Sequence, residues 1–316
     1  MTPALIAHGA RVLLRVVPAG AVADPVWTPR VIDRVRGRHM VVEYALAERR
    51  HRGRHPVQRV IGKFYADGTG QRTYRVMREI ASRLAAGAPT PPLAVPRPLA
   101  YDRARRLLLQ ERAPGVPFPM LVERGSDGRI FRLAGAALAC LHSLPLRLGR
   151  ESWLPDHLRE LVRPHPRSLV EAFPEYRGMV ESVLAAIAAR ERGWRGRVRA
   201  TPLHRDFHLR QLIRDADRSD RVWLIDWDFY AKGDPAFDVG YFVAYLRSHL
   251  GSRAEAAVNA FLGSYTARRP ASAVLARLST YEAFNYLRRA CRRFRLRDTG
   301  WQVEMRAMLA RAADSL

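Results

Sequence analysis

Lysine is almost missing from this chain. Of 54 basic residues only Lys63 and Lys232 are lysines, and the rest are arginine. So uniform a preference points to a coding bias toward arginine. It lowers the information in any one arginine and raises it in each lysine, because a position that stays Lys against the bias is one where a compact ammonium suits better than a planar fork. Cysteine is equally scarce. Cys140 and Cys291 cannot build a disulfide framework and fall in apolar, helical-looking stretches, so buried free thiols in a reducing cytoplasm are expected. No run approaches the roughly 20 uncharged apolar residues of a membrane-crossing helix, so no membrane span is expected. The segment before Ala21-Val-Ala23 is interrupted by Arg11 and Arg15 with no cationic stretch ahead of it, which argues against a secretory leader. There is no His/Cys cluster with zinc spacing, no internal repeat and no Gly-x-Gly-x-x-Gly loop.

What is present suffices for a large core. The 316 residues are 48% apolar, enough for two modest domains or one large one, and the formal charge of +24 suggests an anionic partner: nucleotide, phosphorylated metabolite, nucleic acid or acidic membrane. The first third reads as strands: β-branched runs over 30–36 and 39–46 flank Gly37 as a hairpin, and Val57–Tyr65 carries Lys63. Val76, Ile80 and Leu84 recur every fourth residue, predicting a helix over 71–86. A proline-rich connection over 89–98, a buried strand over 105–111 and the break Ala113-Pro-Gly follow, which places a domain boundary near 112. Beyond it helical periodicity dominates, over 131–143, 180–192, 239–249, 253–266 and from Ser272 onward. The exception is a strand pair, 211–214 with 221–225, across a polar turn.

That strand pair carries the chemistry. If the two strands are antiparallel, Gln211 and Asp226 lie side by side at the open end, with Asp206 just before the first strand at the same end. A carboxamide oxygen and two carboxylates are what a Mg²⁺–polyphosphate site requires, since Mg²⁺ takes few protein oxygens and completes its shell with water and phosphate.

The segment His204-Arg-Asp206 through Gln211, followed by Ile225-Asp226-Trp-Asp228, resembles the catalytic loop and metal-binding Asp of the protein-kinase-like fold. Gly233-Asp-Pro-Ala-Phe-Asp238 is more particular. With Ala139-Cys-Leu-His142-Ser and Leu107–Gly115, it resembles the aminoglycoside phosphotransferase family of small-molecule kinases, in a subgroup with Gln in place of the metal-binding Asn. The resemblance covers roughly residues 30 to 300. It implies an α+β, bilobal protein-kinase-like fold, with a small β-rich, nucleotide-binding N-lobe over 1–111 and a larger, mainly helical C-lobe over 112–316 that holds the catalytic loop, metal site and acceptor-binding helices. Asp206 becomes the catalytic carboxylate that orients the acceptor hydroxyl, Asp226 and Gln211 the Mg²⁺ ligands, Lys63 the contact to the α- and β-phosphates of ATP, and Glu79 its ion-pair partner. Gln211 keeps the carboxamide oxygen of Asn but sets it about 1.5 Å further out, one C–C bond. In the absence of the glycine loop, backbone amides around Gly37, or Arg36 and Arg38, stand in for it.

Asp238 is expected to brace the catalytic loop through backbone hydrogen bonds, and His204 and His208 to be structural. The runs 48–55 and 288–295 could be nucleic-acid patches, but under the arginine bias a solvated face is the better reading, so no dedicated nucleic-acid binding is expected. The second run would also reach the acceptor cleft if the last helices line it. The expected function is ATP-dependent transfer of the γ-phosphoryl group to a hydroxyl of a small molecule, in the cytoplasm, with a nucleotide-binding pseudokinase as the alternative. Few acidic clusters remain once the metal site is assigned, so a polycationic aminoglycoside would be repelled and the acceptor is expected to be neutral or anionic.

Overall fold

Helix α1 (Pro3–Val16) opens the chain, ahead of strands β1 (Pro25–Val35), β2 (His39–Glu48) and β3 (Gln58–Tyr65), helix α2 (Thr69–Ala86), and strands β4 (Leu93–Ala94), β5 (Pro98–Asp102), β6 (Leu107–Glu111) and β7 (Gly115–Pro117). Helices α3 (Phe118–Glu123), α4 (Arg129–Ser143), α5 (Leu154–Leu161), α6 (Pro166–Ala172) and α7 (Arg177–Trp194) follow. Strands β8 (Thr201–Leu203), β9 (Leu212–Asp215), β10 (Val222–Leu224) and β11 (Ala231–Gly233) lead into α8 (Ala236–His249), α9 (Ala254–Thr266), α10 (Ser272–Leu275), α11 (Leu278–Leu296) and α12 (Trp301–Asp314). This computed structural model describes residues 3–16, 25–35, 37–48, 58–87, 90–125 and 128–316. Most of the cationic run 48–55, with Arg36 and Ala21–Ala23, lies outside them.

The chain divides into two units. One comprises Met1–Val116 with Ile213–Asp228, the other Pro117–Leu212 with Phe229–Leu316. The hairpin of β9 and β10, which the sequence reading leaves in the helical part, joins the first unit because Val222 and Trp223 pair in parallel with Leu93 and Ala94, in a sheet ordered β4-β10-β9-β7. Gly115 makes this close approach feasible. Its φ is +135°, and a Cβ there would stand 1.9 Å from the Arg214 carbonyl oxygen.

The main sheet of the first unit is antiparallel, in the order β1-β2-β3-β6-β5. Period-two alternation sends Met40, Val42, Tyr44 and Leu46 of β2, with Val60 and Phe64 of β3, into one core with Leu107 and Leu109. Gly62 shares that face because the Tyr44 ring lies where its Cβ would be. Lys63, the next residue, therefore emerges on the opposite face. Helix α1, which periodicity did not reveal, covers the core by burying Leu13. Gly9 lies against the Tyr44 hydroxyl, which donates to the Ile6 carbonyl at 2.9 Å.

In the second unit α4 packs on α9, and α11 on α8 and α12. The stretch from Ser272 onward is three helices rather than one. It breaks first at Arg277, whose guanidinium grips the buried Asp234 carboxylate through two bonds of 2.6 and 2.8 Å. It breaks again where Arg297 and Gly300 take left-handed backbone angles. On α5, His157 is fully buried against Phe237, ring centroids 4.1 Å apart, and neither ring nitrogen finds a partner among the described residues.

Burial holds the His157 imidazole well below its usual range, and burial likewise lowers His142 despite its bond to Asp238. Both rings stay neutral in the fold but take up a proton in the unfolded chain near pH 6.5, so unfolding gains as pH falls through that value. Thermal unfolding should therefore show a midpoint that drops between pH 7 and 5. His157→Phe, which removes two unsatisfied buried nitrogens, should raise the neutral-pH stability by about 1 kcal/mol and flatten that drop.

Candidate active site

In the first unit the Lys63 ammonium lies between two carboxylates, 2.8 Å from Asp226 Oδ1 and 2.7 Å from Asp228 Oδ2. Burial would depress this lysine, but the two carboxylates more than offset it, and its pKa is raised. Asp228 is drawn in further by the Tyr65 hydroxyl, which donates to Oδ1 at 2.7 Å, and by Thr73 Oγ1 at 3.4 Å. Asp226 follows β10 with a left-handed backbone, φ +63°, and its side chain is 30% exposed against 10% for Asp228. Short acidic residues tolerate that conformation better than most, and it turns the chain sharply out of the strand.

In the second unit a buried carboxylate organises the loop after β8. Asp238, in the first turn of α8, accepts the backbone N–H of His204 at 2.7 Å on Oδ2 and that of Arg205 at 2.8 Å on Oδ1. His142, itself bonded to the Tyr265 hydroxyl, lies 3.3 Å from Oδ2. Arg205 has φ +66° and sends its guanidinium to Glu160 at 2.8 Å. The clamp delivers Asp206 to a polar wall. Its Oδ1 receives the Tyr241 hydroxyl at 3.1 Å and Arg288 Nη2 at 3.2 Å, and its Oδ2 receives Gln211 Nε2 at 3.3 Å with His208 Nε2 at 3.4 Å. Burial alone would raise Asp206, yet the hydrogen bond from His208 and the charges of His208, Arg288 and His204 hold it far below the ordinary carboxylate range. It is an ionised acceptor of hydrogen bonds at any working pH.

Gln211 closes a 3₁₀ turn, Leu209–Gln211, just before β9 rather than standing within the strand. Glu79 lies half-buried on α2, and the carboxylates bonded to Lys63 at the distances above are those of Asp226 and Asp228. The sequence reading gives Tyr65, Thr73 and Tyr241 no part in the site, names Asp228 only within Ile225-Asp226-Trp-Asp228, and includes Arg288 only in the run 288–295 that would reach the acceptor cleft. Asp228 carried a signal in Ile-Asp-Trp-Asp, and Tyr241 sits one turn after Asp238, whereas Arg288 was lost in the arginine background. Lys232, the second lysine, is half-buried and lines a cavity of about 550 Å³ in the second unit, with His142, Thr201 and Arg269.

The family model described as the phosphotransferase enzyme family matches residues 45–274, well over half of the chain. The chain belongs to this family. No curated protein matches its sequence. Among solved structures, a choline/ethanolamine kinase family protein from Mesorhizobium loti superposes with a TM-score of 0.59 at 15% identity, over 98% of this chain and 94% of that one. Choline kinase LicA from Streptococcus pneumoniae gives 0.60 at 15% over 98% and 100%, and the GDP and kanamycin complex of APH(2")-IIia gives 0.59 at 14% over 96% and 98%. The fold is thus the protein-kinase-like α+β fold.

Asp238 is the test of how its loop is held. In Asp238→Asn one of the two backbone N–H groups meets an amide donor instead of a carboxylate oxygen. The expected loss is about 2–3 kcal/mol in denaturant unfolding, the worth of hydrogen bonds to a charged group, together with a fall in phosphotransfer.

Proposed function

We propose that this phosphotransferase moves the γ-phosphoryl group of ATP to a hydroxyl of a small neutral or anionic molecule, with Mg²⁺ as its metal and the cytoplasm as its place of work. The observation that carries the reading is Asp206, an ionised carboxylate fixed by four polar neighbours at the tip of a loop braced by Asp238.

The donor chemistry fits a hard divalent ion. Asp226 and Asp228 already converge on one cation, the Lys63 ammonium, and every group concerned is an oxygen donor. Asp226 and Gln211 would hold Mg²⁺, which when bound neutralises charge on the β- and γ-phosphates. Lys63 would contact the α- and β-phosphates. Asp206 accepts a hydrogen bond from the acceptor hydroxyl and orients its oxygen toward the γ-phosphorus. As that O–P bond forms and the bond to the ADP oxygen breaks, the hydroxyl proton passes to Asp206 and on to solvent. A carboxylate held so far below its ordinary range is a weak base, so its work is positioning, which suits a transfer with little bond formation in its transition state.

The acceptor side disfavours cations. Kanamycin and choline, named with the solved relatives, are cationic. Here Glu282 of α11, Glu304 in the first turn of α12 and Asp298 between the two helices are paired with Arg247 or Arg293. The Tyr241 ring, which could receive a quaternary ammonium, is covered by Arg288 at 4.6 Å.

A nucleotide-binding module with weak turnover is the second reading, favoured by the engagement of Lys63 with both carboxylates. Acceptor-dependent ADP release with Mg·ATP across a metabolite panel separates the two. Asp206→Asn is expected to lower kcat by about 100- to 10,000-fold while leaving ADP affinity within about twofold, whereas Lys63→Ala should weaken nucleotide binding itself. ADP binding with no turnover on any acceptor would favour the module, and no nucleotide binding would end both.

A further inference from the structure

Beside Asp206 the second unit carries an uncompensated cluster of guanidinium groups. Tyr245 of α8 is stacked between two imidazoles, His208 at 5.1 Å and His249 at 4.0 Å, with interplanar angles of 7° and 18°. Arg289 of α11 lies over the same ring at 5.5 Å. The charges of Arg289, Arg210 and Arg292 all bear on the Tyr245 phenol, as does the Asp206 carboxylate, so these groups share one neighbourhood.

Among the described residues no carboxylate balances Arg289. Its one hydrogen bond is long, 3.5 Å to His249 Nε2, a neutral acceptor because His249 Nδ1 donates to the Tyr245 carbonyl at 2.8 Å. Lost solvent on the stacked face and the Arg289 charge pull the His249 ring down to about 4, which keeps it neutral. Arg289 Nε is buried and finds no partner among the described residues. Among those residues no carboxylate pairs with Arg289, Arg292 or Arg210, whereas Arg277 pairs with one carboxylate and Arg247 and Arg293 with two each. Arg289 and Arg292 stand three apart on one helix, where like charges repel. A planar fork with an idle buried N–H, beside a second guanidinium, matches the oxygens of a phosphate or carboxylate.

We propose that Arg289, assisted by Arg292 and Arg210, binds an anionic group of the acceptor, a phosphate or carboxylate on the molecule whose hydroxyl is presented to Asp206. This narrows the acceptor to hydroxy-phosphates and hydroxy-carboxylates, and it rests on the phosphotransferase reading for the word acceptor, though not for the anion site.

The test is calorimetric titration of glycerol 3-phosphate, glycerate and glycerol into protein saturated with Mg·ADP, so that the nucleotide site cannot take the probe. Saturable binding of glycerol 3-phosphate or glycerate, absent for glycerol, is expected, and the stronger of the two names the group. Arg289→Gln should weaken it at least about tenfold, the worth of one charge-assisted hydrogen bond, with ADP affinity unchanged. Arg289→Lys should recover part of it, and the exposed Arg292→Gln, which carries little risk to folding, should weaken it to a smaller extent. No binding of either anion, or binding that Arg289→Gln leaves intact, overturns the proposal. Anion binding by a protein that fails to bind ADP would sink the phosphotransferase reading and leave the anion site standing.

Discussion

The buried carboxylate of Asp238 is the constraint on which the Asp206 loop of this protein depends. A loop that turns through a left-handed arginine has backbone N–H groups that no strand or helix can satisfy, and burying them unpaired would cost more than the loop returns. Asp238 answers two of them at once and is itself kept in place by His142. Because Asp238 sits on the first turn of α8, the same helix that sets the loop also presents Tyr241 and Tyr245, so the position of Asp206 and the character of its surroundings are not independent. A shift of α8 would move both together.

What could be read in the sequence is what local spacing encodes. Asp206, Asp226 and Asp238 stand in short motifs, and the period-two strand that carries Lys63 on the face opposite Gly62 was visible as a β-branched run. Lys63 could be singled out on composition alone. Its bonds to the two carboxylates could not, because the first of them, Asp226, lies 163 residues further along the chain. Arg288 is 82 residues from Asp206 and sits in a run where arginine carries little information. Helix α1 escaped notice for a different reason. Its docking depends on a glycine meeting a tyrosine hydroxyl, a steric match that no periodicity records. The division of the chain near 112 followed composition, whereas the structure divides it by pairing, and two parallel bridges to Leu93 and Ala94 carry the hairpin across.

Charge is used here with more discrimination than a total of +24 suggests. Several arginines in the helical unit close a specific bond to an acid: to Asp234, to Glu160, to Glu255 and Glu282, to Asp298 and Glu304. Arg289, Arg292 and Arg210, gathered around Tyr245, have no acidic partner among the described residues. An excess of one residue type is least informative in composition and most informative in its exceptions.

The scarcity of lysine gives the ammonium between Asp226 and Asp228 a practical value. A reagent that acylates amines meets two side-chain targets in the whole chain, and one of them is only 8% exposed and held protonated by two carboxylates. Its labelling rate is therefore a clean optical or mass readout of a single ion pair, with almost no background from the rest of the surface, and anything that draws Lys63 out from between its carboxylates registers as a change at one peptide.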